Sequence, residues 1–123
     1  MKIAVLSGPQ RFEVVDEPVP GIAPDEVLVR TAACGVCASE LDMWEGRGAS
    51  PFPLYPGHEV SGTVEKVGDA VSSYAPGDPV VVWVTTAGFA EYVAVAEEHA
   101  FPAPGVPLGE ALAEPLACAT NAV

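Results

Sequence analysis

A chain of 123 residues, half of them hydrophobic, is long enough to bury about two thirds of the surface its unfolded form exposes, and it needs no disulfide staple to fold. Twelve glycines and 13 prolines are too many for a helical bundle. Seventeen acidic residues against five basic ones give a formal net charge of -12, which repels nucleic-acid backbones and anionic lipid headgroups, so neither nucleic acid nor membrane is expected as a partner.

The opening residues, MKIAVLSGPQ, hold one lysine and a short apolar run, too short for a signal peptide or a spanning helix, and a cytoplasmic location is expected. Residues 2–6 (KIAVL) and 11–16 (RFEVVD), separated by the turn-forming SGPQ, predict a β-hairpin or a pair of neighbouring strands. Residues 17–26 are rich in proline and read as an extended loop, and residues 27–32 (VLVRTA) as a strand. Ser39 is placed to cap a short helix running through Leu41, Met43 and Trp44, which Gly46 and Gly48 would end. A proline-rich loop over 50–56 leads to His58. From 60 to 67 a strand pattern returns, with Val60, Gly62 and Val64 on one face and Ser61, Thr63 and Glu65 on the other.

The β-branched run 80–84 and the segment 89–95 are joined by Thr85, Thr86, Ala87 and Gly88, a spacing that suggests a hairpin. Past Glu97 the chain turns irregular, and residues 108–123 have the alanine and leucine content of two helical pieces broken at Pro115. The sum is a single, mainly β domain: a small, partly open β-barrel with short helices.

Chemistry concentrates between Cys34 and Glu59. Cys37 and His58 each follow closely on a glycine, Gly35 and Gly57, and each is followed by a carboxylate, Glu40 and Glu59. Zinc accepts thiolate, imidazole and carboxylate ligands, and a catalytic zinc takes three from the protein, leaving one position for water or substrate. Cys34 and Cys37 also form a C-x-x-C, which alone could be a redox pair or half of a four-cysteine site. No second C-x-x-C exists, and no βαβ pattern precedes this one, so Cys37 is read as a ligand. Cys34 is read as a small packing residue, with a reversible disulfide to Cys37 in metal-free protein as its other use. A lone histidine is usually satisfied by hydrogen bonds, but the setting of His58 in GHE favours ligation; His99 has no such setting and is assigned to the surface. Glu59 could coordinate directly or orient its neighbouring histidine. Glu114 lies among alanines and leucines, where a charge needs a nearby cation or a solvated helix end. Trp44 and Trp83 read as core or rim aromatics, and whether either lines a substrate pocket is left open.

Five motifs stand in one order along nearly the whole chain: GVCASE, GHEVSGTVEKVG, PGDPVVV, GFAEYV and AEPLACATNAV. Together they resemble the GroES-like N-terminal catalytic domain of the zinc-dependent medium-chain alcohol dehydrogenase family. The resemblance implies a GroES-like barrel, zinc ligands at Cys37 and His58, a coordinating or supporting carboxylate at Glu59, and a third ligand at Glu114. A glutamate there is similar to the polyol, sugar and threonine dehydrogenase branches. Ser39 matches the hydroxyl that relays the alcohol proton, and Glu40 replaces the more usual aspartate behind the site.

Two departures carry expectations of their own. The four-cysteine lobe that binds a structural zinc in many members is replaced by the few residues between 84 and 89, so one catalytic zinc and no structural zinc is expected. The chain contains no G-x-G-x-x-G, so the Rossmann domain that binds NAD or NADP is expected to be absent from it, and the fragment inactive alone. The expected substrate is a small alcohol or polyol, with homo-oligomerisation left open. The alternative, from a different class, is a non-catalytic GroES-like zinc-binding or oligomerisation module.

Overall fold

The computed structural model describes residues 1–47, 50–111 and the single positions 115 and 119. Strands β1 (Lys2–Gly8) and β2 (Arg11–Asp16) form the expected antiparallel hairpin, in register from Lys2 opposite Asp16 to Leu6 opposite Phe12, with a slip before Gly8 opposite Arg11. Strand β3 (Glu26–Gly35) runs beyond the expected segment as far as Gly35, and helix α1 (Ala38–Trp44) follows it. Strands β4 (Glu59–Val67), β5 (Pro79–Trp83) and β6 (Tyr92–Ala96) come next, then a 3-10 turn at Glu97–His99 and strand β7 (Ala100–Pro102).

These strands make a five-stranded antiparallel sheet in the order β6-β3-β4-β5-β7. Its register slips twice along the β3–β4 pair, between Leu28 and Val29 and between Thr31 and Ala33. Such bulges bend a strand and raise its twist. The sheet curls into a half-barrel whose concave face is almost entirely valine: Val27 and Val29, Val60 and Val64, Val80 and Val82, Val93 and Val95. β-branched side chains pack well on a pleated surface, and burying each contributes about 1.5–3 kcal/mol. The β1–β2 hairpin is tied on by bridges from Ile3 to Ala90 and from Leu6 to Leu54.

Three expectations change. First, β5 and β6 are not a hairpin: β5 lies between β4 and β7, while β6 pairs with β3 across the barrel. The connection between them is captured instead by the 55–57 segment, with the Ala87, Gly88 and Phe89 amides donating to the carbonyls of Tyr55, Gly57 and Pro56. Second, the helix N-cap is Cys37, not Ser39, because α1 already starts at Ala38. Third, the segment read as irregular after Glu97 contains β7. On the second face of β4, Ser61 is fully buried, its hydroxyl donating to the carbonyl of Leu108, because the chain around Leu108 and Ala111 covers the face there over Val81 and Ala103, while Glu65 further along stays exposed.

Gly46 stands at positive φ immediately after the C-cap of α1, as expected; Gly48 lies outside the described residues. The two helical pieces expected over 108–123 fall mostly outside them too, although positions 115 and 119 have helical backbone. Among the described residues, no helix is long and apolar enough to cross a membrane.

Candidate metal centre

The sequence around Cys37 builds its own turn. Cys37 has extended backbone (φ -82°, ψ 154°) and hands the chain from β3 into α1. The first amides of a helix have no partner within it. Glu40, three residues on, answers this by reaching back, its Oε2 accepting from the Cys37 amide at 2.9 Å. Its other oxygen, Oε1, accepts from the Gly57 amide at 2.6 Å and lies 3.4 Å from His58 Nδ1. One carboxylate, 5% exposed, thus fastens the loop that carries Cys37 to the loop that carries His58.

Gly57 and Gly88 let those loops approach. Gly57 sits at φ +102°, and a Cβ there would stand 2.5 Å from the amide nitrogen of Phe89. A Cβ on Gly88 would stand 2.7 Å from the Gly57 carbonyl group. With no side chain on either, the backbones touch and His58 is turned toward Cys37. Glu59, 6% exposed, opens β4 directly afterwards.

The result is a cluster of three donors: the Cys37 sulfur, a His58 ring nitrogen and a Glu59 carboxylate oxygen all lie within 4.8 Å of one another. In a tetrahedral zinc site such donors stand roughly 3.5 Å apart, given metal–ligand distances of about 2.0–2.3 Å. The set therefore fits zinc in chemistry, and its donors are close enough together to converge on one ion.

The other expected residues are placed as follows. Cys34 is a free thiol opposite Val60 in the β3–β4 register and packs against the valine core. Burial pushes its thiol up to about 11, against a weaker opposing effect from the backbone of Glu59. Ser39 is exposed and lines a cleft of about 290 Å³ with Asp42, Met43, Arg47 and Phe52. Glu114 lies outside the described residues. His99 is on the surface, with its ring edge-on to Trp83 at 5.1 Å between centroids. Trp44 and Trp83 are both more than a third exposed, hence rim rather than core. Two features went unread in the sequence: the double amide clamp of Glu40, and the position of Trp83 directly opposite Glu59 across the β4–β5 pair. The three-residue spacing from Cys37 to Glu40 was a legible signal for half of the first. Nothing local signals the second, which depends on strand register.

Residues 23–105 match the alcohol dehydrogenase GroES-like domain. The chain is 32% identical to D-arabinitol dehydrogenase 1 of Uromyces fabae over 141 residues, covering 92% of this chain and 40% of that protein. It is 40% identical to sorbitol dehydrogenase of Homo sapiens over 82 residues, covering 63% of this chain and 23% of that protein. Among solved structures it is similar to galactitol-1-phosphate dehydrogenase from Escherichia coli (TM-score 0.80, 28% identity, 88% of this chain and 40% of that one). It is also similar to the cobalt and zinc bound thermostable alcohol dehydrogenase from Pyrobaculum aerophilum (TM-score 0.77, 30% identity, 89% and 43%). The chain spans two fifths or less of the length of these two curated relatives. With more than half of its residues matched to that domain and its curled sheet shared with zinc-bound and sugar-alcohol enzymes, the chain belongs to the GroES-like domain family of the zinc-dependent medium-chain alcohol dehydrogenases.

Proposed function

We propose that this chain is the metal-holding catalytic domain of an NAD- or NADP-dependent dehydrogenase of small alcohols or polyols, with one zinc held by Cys37, His58 and one carboxylate, Glu59 or Glu114, and the fourth position left to the substrate hydroxyl. The observation that carries the reading is the convergence of thiol, imidazole and carboxylate within 4.8 Å, in a domain whose relatives include sorbitol and arabinitol dehydrogenases. When bound, zinc supplies Lewis acidity toward a hydroxyl oxygen and the nicotinamide supplies a hydride acceptor.

The chain's own residues do the rest. Glu59 offers a carboxylate and Cys37 a sulfur that gives up its proton as it coordinates, and the mostly buried surroundings of Glu59 strengthen the attraction by keeping water away. Glu40 keeps the two ligand-bearing loops at fixed separation through the Cys37 and Gly57 amides. Ser39, two residues after Cys37 and open to solvent, takes the proton an alcohol gives up and passes it outward.

The test is cobalt-loaded chain titrated with sorbitol and with ethanol. A hydroxyl-dependent change in the visible ligand-field bands, absent in Cys37→Ala, supports the reading. Bands that form normally and ignore every alcohol would turn it toward a metal-stabilised module without a substrate.

A further inference from the structure

Glu59 has two neighbours across the sheet. On the β3 side it faces Gly35, which has no side chain and leads into the loop bearing Cys37. On the β5 side it faces Trp83. The alternation of the strands fixes which face these side chains share. Val60 and Val82, one position further along each strand, both point into the valine core, so Glu59 and Trp83 both point out of it. Directly opposed residues in an antiparallel pair have Cβ atoms about 4.5–5.5 Å apart, within reach of an indole ring.

The row continues on the far side of Trp83. Val82 is paired with Ala100, and His99, the residue before Ala100, meets the indole edge-on at 5.1 Å, with an interplanar angle of 87°. The next row along the same face, Ser61 and Val81, is sealed by the chain around Leu108 and Ala111. Glu59 thus lies next to that cover along the strand and directly opposite Trp83, and it is only 6% exposed although Trp83 is 44% exposed.

We propose that Trp83 is a positioning residue for the metal centre. Its indole, braced by His99, is the wall that limits the movement of the Glu59 carboxylate toward solvent and excludes water from the flank of the Cys37, His58 and Glu59 cluster. The apolar shell around a metal site sets its solvent access and local dielectric, and supporting residues of this kind typically change metal affinity by about 10–100-fold. The inference rests on the metal-holding reading given above and adds a residue to it.

The test uses the full chain with cobalt(II), whose affinity is read by chelator competition and whose coordination is read from the ligand-field spectrum. Trp83→Ala is expected to weaken cobalt binding by about 10-fold or more and to shift the bands, while Trp83→Phe, which keeps an aromatic wall, restores both to within about 3-fold. Phe101→Ala, which removes an exposed aromatic from the neighbouring strand, is the control and is expected to change neither. Unchanged affinity and spectrum in Trp83→Ala would overturn the proposal. If Trp83→Ala does not fold, Trp44→Phe leaves Trp83 as the sole indole, and its fluorescence must be quenched as cobalt fills the site; emission that ignores cobalt overturns the proposal as well. Failure of the wild-type chain to bind cobalt at all is a different outcome, and it would sink the metal-holding reading together with this one.

Discussion

At the scale of single residues, the centre depends on what each side chain touches. Cys37 and His58 were legible because thiol and imidazole beside glycines are unusual in an acidic, cysteine-poor chain. The separation of the two cysteines was legible only in part: C-x-x-C suggests a pair, and it is the β3–β4 register that sends Cys34 toward Val60 and the core. Burial raises the Cys34 thiol to about 11, so at pH 8 only about one molecule in a thousand carries its thiolate. Alkylation of metal-free protein with iodoacetamide at pH 8, followed by peptide mapping, should therefore find Cys34 nearly untouched, with its rate rising as pH approaches 11. A folded-state value raised above the unfolded one also means that this thiol supports stability below the ordinary thiol range and loses that support as pH climbs toward 11. Rapid labelling of Cys34 at pH 8 would contradict its placement. Glu40 makes the opposite case, a buried charge whose two oxygens serve two amides. Glu40→Ala removes the acceptor of both amides, one of them buried, and should lower stability by about 2 kcal/mol, with a roughly 10–100-fold loss of zinc affinity. Urea denaturation and chelator competition measure the two effects, and a variant as stable and as tight as wild type would refute the clamp.

At the scale of elements, the strands were visible where β-branched residues cluster, and their pairing was not. The short spacing between residues 84 and 89 imitates a hairpin because local sequence carries no information about what else binds the connecting backbone. Here the Pro56 and Gly57 backbone captures it and sends β6 to the opposite edge of the sheet, beside β3. The same long-range packing hides Ser61 beneath Leu108, a contact that the alternation along β4 could not announce. Ser39 was misread as the cap because a serine is the stronger capping residue by composition, whereas the reach-back of Glu40 sets the helix start two residues earlier. Gly57 is where element geometry and chemistry meet. Gly57→Ala would combine a strained left-handed backbone with a clash against Phe89, and should lower stability by about 2 kcal/mol or more while weakening metal binding through His58. Thermal denaturation with and without zinc checks this. A variant with native stability and metal affinity would show that the two loops have room to spare.

At the scale of the whole molecule, a valine-lined half-barrel holds one end of β4 against the start of α1, and that junction is the proposed metal centre. The fold class could be read from five ordered motifs, and three residues those motifs single out, Cys37, His58 and Glu59, come together in the structure. Glu114, the ligand expected furthest downstream, lies outside the described residues, so its part in the centre stays a proposal. The same holds for turnover: we expect the 123-residue chain, loaded with zinc, to oxidise no alcohol with NAD or NADP, and steady activity from it would refute the expectation that the dinucleotide-binding part is elsewhere. The most direct test of the account is a metal count. Protein purified without chelator and dialysed against trace zinc should hold one zinc per chain by elemental analysis and native mass spectrometry, and Cys37→Ala and His58→Ala should hold none. A wild-type chain that retains no zinc, or two, or a Cys37→Ala variant that retains its full complement, would contradict it.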